Sequence, residues 1–131
     1  MNNSPQMTID VFGNKAWLLN GERHRICGPA IERSDGTKEW YVNGKLHRIG
    51  GPAIEWSDGT KFWYLNGQLH RKDGPAIERS DGYKEWWTNG KLHRIGGPAI
   101  EKANGSKEWL VDDVQYFRVE WRFLDVEEEL L

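Results

Sequence analysis

Four histidines stand 23 residues apart, at His24, His47, His70 and His93, and each is followed by an arginine, at Arg25, Arg48, Arg71 and Arg94. Imidazoles can ligate a metal and guanidinium groups can hold phosphate, so these two rows are the first candidates for chemistry. Geometry decides against metal. If each 23-residue unit contributes two strands, equivalent side chains lie ~9.6 Å apart at ~4.8 Å per strand. Zinc ligands must all stand ~2.0–2.3 Å from the ion. No metal site and no cofactor are therefore expected, and each His is expected to pack against, or hydrogen-bond near, the Trp of its own hairpin. The combined row of Arg25, Arg48, Arg71, Arg94 and the four His residues stays open as an alternative site for a nucleotide, nucleic acid or another anion. Against it stand Glu32, Glu39, Glu55, Glu78, Glu85 and Glu101, interleaved with the Arg residues and placed to neutralise them. Cys27 lies three residues after His24, but Gly50, Asp73 and Gly96 occupy its column in the other units, so it reads as a turn substitution rather than half of a catalytic dyad. No phosphate loop, zinc pair or nucleophile elbow occurs, and no enzymatic activity is expected.

The elements that position these rows follow from the repeat. Gly-Pro-Ala begins at Gly28, Gly51, Gly74 and Gly97, and the column Trp17, Trp40, Trp63, Trp86 and Trp109 keeps the same step of 23. Asn-Gly, as at Asn43-Gly44, is the strongest short hairpin signal, because a type I′ turn needs positive φ at both positions. Ser34-Asp35-Gly36 and its equivalents suit a longer loop closing on a left-handed Gly. Between the turns lie short aromatic and β-branched stretches such as Lys38-Glu39-Trp40-Tyr41-Val42, and Gly and Pro recur too often for a helix. The expected fold is all-β, an extended, twisted antiparallel β-meander of 23-residue hairpin repeats. Alternation puts Trp40 and Val42 on one face and Tyr41, Tyr64, Trp87, Leu18 and Leu110 on the other. A two-residue Asn43-Gly44 turn sets Val42 opposite Lys45, Tyr41 opposite Leu46 and Trp40 opposite His47. One step further, Glu39 would meet Arg48 and Glu85 would meet Arg94.

The unit from Asp35 to Glu55, Asp-Gly-Thr-Lys-Glu-Trp-Tyr-Val-Asn-Gly-Lys-Leu-His-Arg-Ile-Gly-Gly-Pro-Ala-Ile-Glu, resembles the variant MORN repeat. It is most similar to the His-Arg-x-x-Gly-Pro-Ala form found in bacteriophages and large DNA viruses, with YwqK-type antitoxins as related proteins. The resemblance covers about three quarters of the chain and implies a non-catalytic binding surface, with an inhibitor of a toxin or host-defence protein as one expected role. Arg23 in place of the Leu of other units, Trp56 in place of a basic residue and Asp112-Asp113 in place of Asn-Gly depart from the pattern.

One domain is expected over 1–131, with a lead-in at 1–12, about four repeats over 13–113 and an acidic cap at 114–131. Val11 to Trp17 reads as half a unit forming the first strands. For the cap, Val114, Phe117, Trp121 and Leu124 make a helical stripe, and a short helix is preferred over the alternating strand pattern also present there. Leu, Ile, Val and Phe number only 28 of 131 residues against 8 Trp and 15 Gly, so a thin core is expected, with the Trp of one hairpin on the Trp of the next. A net charge of -2 excludes a strongly basic nucleic-acid binder. The longest apolar run, Ala16 to Leu19, is too short for a membrane span, and a single cysteine points to the cytoplasm. Within the strict repeat some columns vary, and Trp56, Phe62, Tyr64, Tyr83 and Trp87 gather in the middle units. Together with Arg48 and Arg71 they are the candidate contact residues for a protein partner, aromatics and Arg being the types that dominate interface energy. A structural or self-assembling role is the remaining reading, with the chain a monomer or homodimer.

Overall fold

The computed structural model describes residues 3–116, and among them the chain is all-β, with 18 strands and no helix. Each unit builds two short rows rather than one long hairpin. One row is a continuous antiparallel sheet that runs β1 (Gln6–Ile9), β2 (Lys15–Leu19), β4 (Ile31–Glu32), β5 (Lys38–Glu39), β8 (Ile54–Glu55), β9 (Lys61–Phe62), β12 (Ile77–Glu78), β13 (Lys84–Glu85), β16 (Ile100–Glu101), β17 (Lys107–Val111) and β18 (Val114–Tyr116). The β3 strand (Glu22–Arg23) also pairs with β2. The second row consists of three separate hairpins: β6 (Tyr41–Val42) with β7 (Lys45–Leu46), β10 (Tyr64–Leu65) with β11 (Gln68–Leu69), and β14 (Trp87–Thr88) with β15 (Lys91–Leu92).

The corner between the rows is the Trp. The Trp40 N–H donates to the Ala53 carbonyl in the long sheet at 2.7 Å, while its own carbonyl accepts the His47 N–H of the hairpin at 3.0 Å. Trp17, Trp63 and Trp86 repeat this switch. On the other side of the junction the Ala53 N–H donates to Phe62, so Ala sits where three strands meet and has no room to grow. Ala30, Ala53, Ala76 and Ala99 are fully buried.

The turns behave as their residues require. Asn43 and Gly44 adopt φ of 51° and 77°, the type I′ geometry, and set the expected register of Val42 with Lys45 and Tyr41 with Leu46. In the longer loop the Asp35 carboxylate accepts the Thr37 N–H, and the buried Thr37 hydroxyl accepts the Ser57 N–H of the next turn at 3.3 Å. The fully buried Thr60 does the same for Ser80 at 3.1 Å, so successive turns are stitched together through their hydroxyls.

Several expectations are corrected. Asp112 and Asp113 take φ of 49° and 67°, reproducing the Asn-Gly turn with two non-glycine residues, and so Val114–Tyr116 is a strand paired with β17 rather than the start of a helix. The rest of the expected cap lies outside the described residues. At the other end the first strand is Gln6–Ile9, and Val11 to Gly13 belongs to the turn that joins it to β2. There the Asp10 carboxylate accepts the N–H groups of Phe12 and Asn14. Among the described residues, Trp rings of successive hairpins do not stack on one another. Trp17, Trp40, Trp63 and Trp86 each carry their own unit's Arg instead.

Candidate functional site

The long sheet has two distinct faces. On the first, the register aligns Lys15, Glu32, Lys38, Glu55, Lys61, Glu78, Lys84, Glu101 and Lys107 in one row of strictly alternating sign. Every directly opposed pair in this row is therefore attractive.

The Arg row lies on this same face and is already occupied. The Arg48 guanidinium sits 3.8 Å from the centre of the Trp40 ring, and its Nη1 donates to the Pro52 carbonyl at 3.1 Å and to Glu55 at 3.4 Å. Arg25, Arg71 and Arg94 repeat the stack on Trp17, Trp63 and Trp86 at 3.7, 3.8 and 4.0 Å. Each also donates to the carbonyl of its own Gly-Pro, at 3.0–3.1 Å. The glycine that opens Gly-Pro-Ala completes the slot, since a Cβ on Gly51 would lie 2.9 Å from the Arg48 Cζ. The guanidinium is thus enclosed by indole, proline carbonyl, glycine and carboxylate. The expected pairs Glu39 with Arg48 and Glu85 with Arg94 do not form, because alternation puts those Glu residues on the opposite face; Arg48 pairs with Glu55 and Arg94 with Glu101.

Each histidine bonds to its own unit's Trp through its backbone N–H, as expected, while its imidazole serves the neighbouring unit. Nδ1 of His24, His47 and His70 accepts the N–H of Asn43, Asn66 and Asn89 at 2.9–3.0 Å, tying each unit to the next unit's turn. His93 does the same for Asp112 at 3.1 Å. His47, Arg48, His70 and Arg71 line an open groove of about 640 Å³ with Trp63 and the exposed Ile49, and a similar groove of about 610 Å³ precedes it beside Ile26. Cys27 is exposed at its rim. Among the described residues no group of three or more His, Cys, Asp or Glu is placed to hold a metal ion.

The five candidate aromatics lie together on the opposite face, apart from Arg48 and Arg71. There the register gives the row Ile31, Glu39, Ile54, Phe62, Ile77, Glu85 and Ile100. Glu39 is buried, its carboxylate bracketed by Arg33 Nε at 2.9 Å and by the Tyr41 hydroxyl at 3.2 Å. The Glu85 carboxylate accepts the Tyr83 hydroxyl at 2.9 Å and the Trp87 indole N–H at 3.2 Å. Burial, then the hydrogen bond and charge of Glu85, push the Tyr83 phenol up to about 12. Burial raises Tyr41 and Tyr64 as well. Arg79 covers the Tyr83 ring at 4.9 Å.

Between these two hydrogen-bonded acids the second full unit replaces both partners of the Arg33–Glu39 ion pair. Trp56 stands in the Arg33 column and Phe62 in the Glu39 column, and their rings pair at 4.9 Å and 59°. The last unit returns to charge with Lys102 and Glu108, 3.9 Å apart. Trp56 keeps 46% of its surface exposed. Beside it lies an open cleft of about 470 Å³, bounded by Arg33, Glu39, Ile54, Trp56 and the turn residues Asp35 and Asp58. No family model matches the chain, and no curated protein matches it. The paired swap was within reach of the sequence, since both columns change in the same unit. The Arg slot was not, because nothing in the letters shows which Glu the guanidinium meets or that a glycine makes room for it.

Proposed function

We propose that this protein is a non-catalytic binding module whose partner is another protein, docked on the aromatic centre of the face that carries Trp56. The observation that carries this reading is the replacement of an ion pair by Trp56 and Phe62 at one place in the array, with Trp56 left nearly half exposed. Apolar Ile54, Phe62 and Ile77 run between the hydrogen-bonded acids Glu39 and Glu85, giving an apolar centre with a polar rim. Interfaces gain most of their energy from such an arrangement. The variant MORN resemblance extends the proposal to an inhibitory role against a toxin or host-defence protein. Anion binding by the Arg row has less support, since those guanidinium groups are committed to Trp, Pro and Glu.

The test restores the ion pair of the preceding unit. Trp56→Arg with Phe62→Glu should leave far-UV circular dichroism unchanged and abolish recovery of the partner in affinity purification read by mass spectrometry. Arg48→Lys with Arg71→Lys should retain that recovery. A partner lost with the Lys pair and retained by the restored ion pair would overturn the proposal.

A further inference from the structure

The strand β1 forms one border of the long sheet, and all four of its residues are exposed. In its antiparallel pairing with β2, Gln6 faces Leu18, Met7 faces Trp17, Thr8 faces Ala16 and Ile9 faces Lys15. The Asp10 N–H donates to the Asn14 carbonyl at 3.0 Å in the same register. Hydrogen-bonded pairs alternate along such a ladder, so Thr8 and Gln6 also bond inward to β2. The N–H and C=O groups of Met7 and Ile9 consequently point out of the sheet, at a border that no other strand of the described residues covers.

Natural sheets protect such borders with charge, proline or a bulge. Here the outward-bonding residues are Met7 and Ile9, exposed by 49% and 60%, with no charged side chain between them. One protective feature does occur: the next outward position is Pro5, which has no N–H to offer. The free border is therefore short, and it is symmetric about Thr8.

We propose that β1 is the seam of a homodimer, pairing antiparallel with the β1 of a second copy about a two-fold axis through Thr8. That register makes Met7 and Ile9 of one copy hydrogen-bonded pairs with Ile9 and Met7 of the other, and each pair exchanges two backbone bonds. On the same face Met7 then packs against Ile9, apolar against apolar. On the opposite face Gln6 meets Asp10, and Thr8 meets Thr8. No like charges are opposed anywhere in the seam. A register shifted by one residue would present the inward-bonded groups of Thr8 to the partner and leave those of Met7 and Ile9 unpaired. This self-complementarity is what selects a second copy over an unrelated strand. A seam this short belongs with weak interfaces, with a dissociation constant on the order of 10–100 µM.

The experiment uses the full chain. Sedimentation from roughly 1 µM to 500 µM, a range that brackets that constant, should show a monomer–dimer equilibrium. Met7→Lys with Ile9→Lys should abolish it while leaving the monomer's far-UV circular dichroism unchanged; because position 9 faces Lys15, the thermal midpoint should fall slightly. The register is read separately, in a Cys27→Ser background. Thr8→Cys should form an intermolecular disulfide on mild oxidation, because a non-hydrogen-bonded pair brings the two Cα atoms to ~4.5 Å. Met7→Cys and Ile9→Cys should cross-link at least tenfold more slowly. A chain monomeric across the range, a dimer indifferent to the Lys pair, or cross-linking as fast at 7 and 9 as at 8 would overturn the proposal.

Discussion

Gly51→Ala tests whether the Arg slot holds its unit together. The backbone there is outside the left-handed region, so alanine meets no conformational penalty, and the loss of freedom in the unfolded chain would by itself stabilise by about 0.4–1 kcal/mol. The new Cβ, however, would lie 2.9 Å from the Arg48 Cζ and 3.0 Å from its Nε, too close to coexist. The guanidinium must shift away from the new methyl, and what it makes in the slot is weakened. A hydrogen bond from a charged donor to the Pro52 carbonyl contributes about 1.5–3 kcal/mol. The stack on Trp40, at a site about a third exposed, adds about 0.5–1 kcal/mol. The Glu55 pair, equally exposed, adds about 0–1 kcal/mol. Arg48→Ala should therefore cost about 3 kcal/mol in chemical denaturation, and Gly51→Ala about 2 kcal/mol, its unfolded-state gain offsetting part of the same loss. The decisive measurement is the double variant. With Arg48 already alanine, Gly51→Ala should become neutral or stabilising by about 0.5 kcal/mol, a reversal of sign. Equal destabilisation in both backgrounds would refute the slot, since the glycine would then be required for a reason unconnected with the guanidinium.

Tyr83 should ionise last among the tyrosines, near pH 12, followed by absorbance at 295 nm, and Tyr83→Phe should remove that step. Its raised value stabilises the neutral form, so the contribution is fully present below the ordinary tyrosine value of 10.0 and is lost as pH rises through 12. Thr60→Val keeps the shape of a fully buried side chain but strands the Ser80 N–H, and should cost about 1–2 kcal/mol by denaturation. His24, His47 and His70 should carry their proton on Nε2 in nitrogen-detected NMR at pH 8, because Nδ1 accepts a backbone N–H; a protonated Nδ1 would contradict the inter-unit bond.

The fold was legible because its signals are local. Asn43-Gly44 fixes a turn within four residues, the turn fixes the register, and alternation then assigns faces without knowledge of distant contacts. What depended on side-chain reach was not legible. Arg48 could meet Glu39 across the hairpin or Glu55 after the Gly-Pro-Ala turn, and the choice rests on a carbonyl and a glycine seven residues or less away in sequence. Nor does the letter pattern show that Trp40 is a corner, with its N–H in one row and its carbonyl in the other. That corner separates the Trp residues of neighbouring units and leaves each ring facing an Arg. The turn at Asp112-Asp113 defeated the reading differently, since two aspartates took up a backbone that glycine and asparagine usually hold.

The two faces divide their tasks, and the division explains which columns are free to vary. On the face of the charge ladder every residue has a partner in the next strand or the next unit, so a change at Glu55 touches Lys38, Lys61 and Arg48 together. Strict repetition there is the consequence of coupling. On the opposite face three side-chain pairs close within one unit, Arg33 with Glu39, Trp56 with Phe62 and Lys102 with Glu108, while Arg23 reaches Tyr41 of the next unit. Such a pair can be exchanged together, ionic for aromatic, because both of its members lie in one unit and each unit contacts only its neighbours. A surface assembled from exchangeable pairs can be altered one unit at a time while the spine stays fixed. The aromatic exchange at Trp56 and Phe62 is the place where this chain has used that freedom, and it is where partner contact should be sought first.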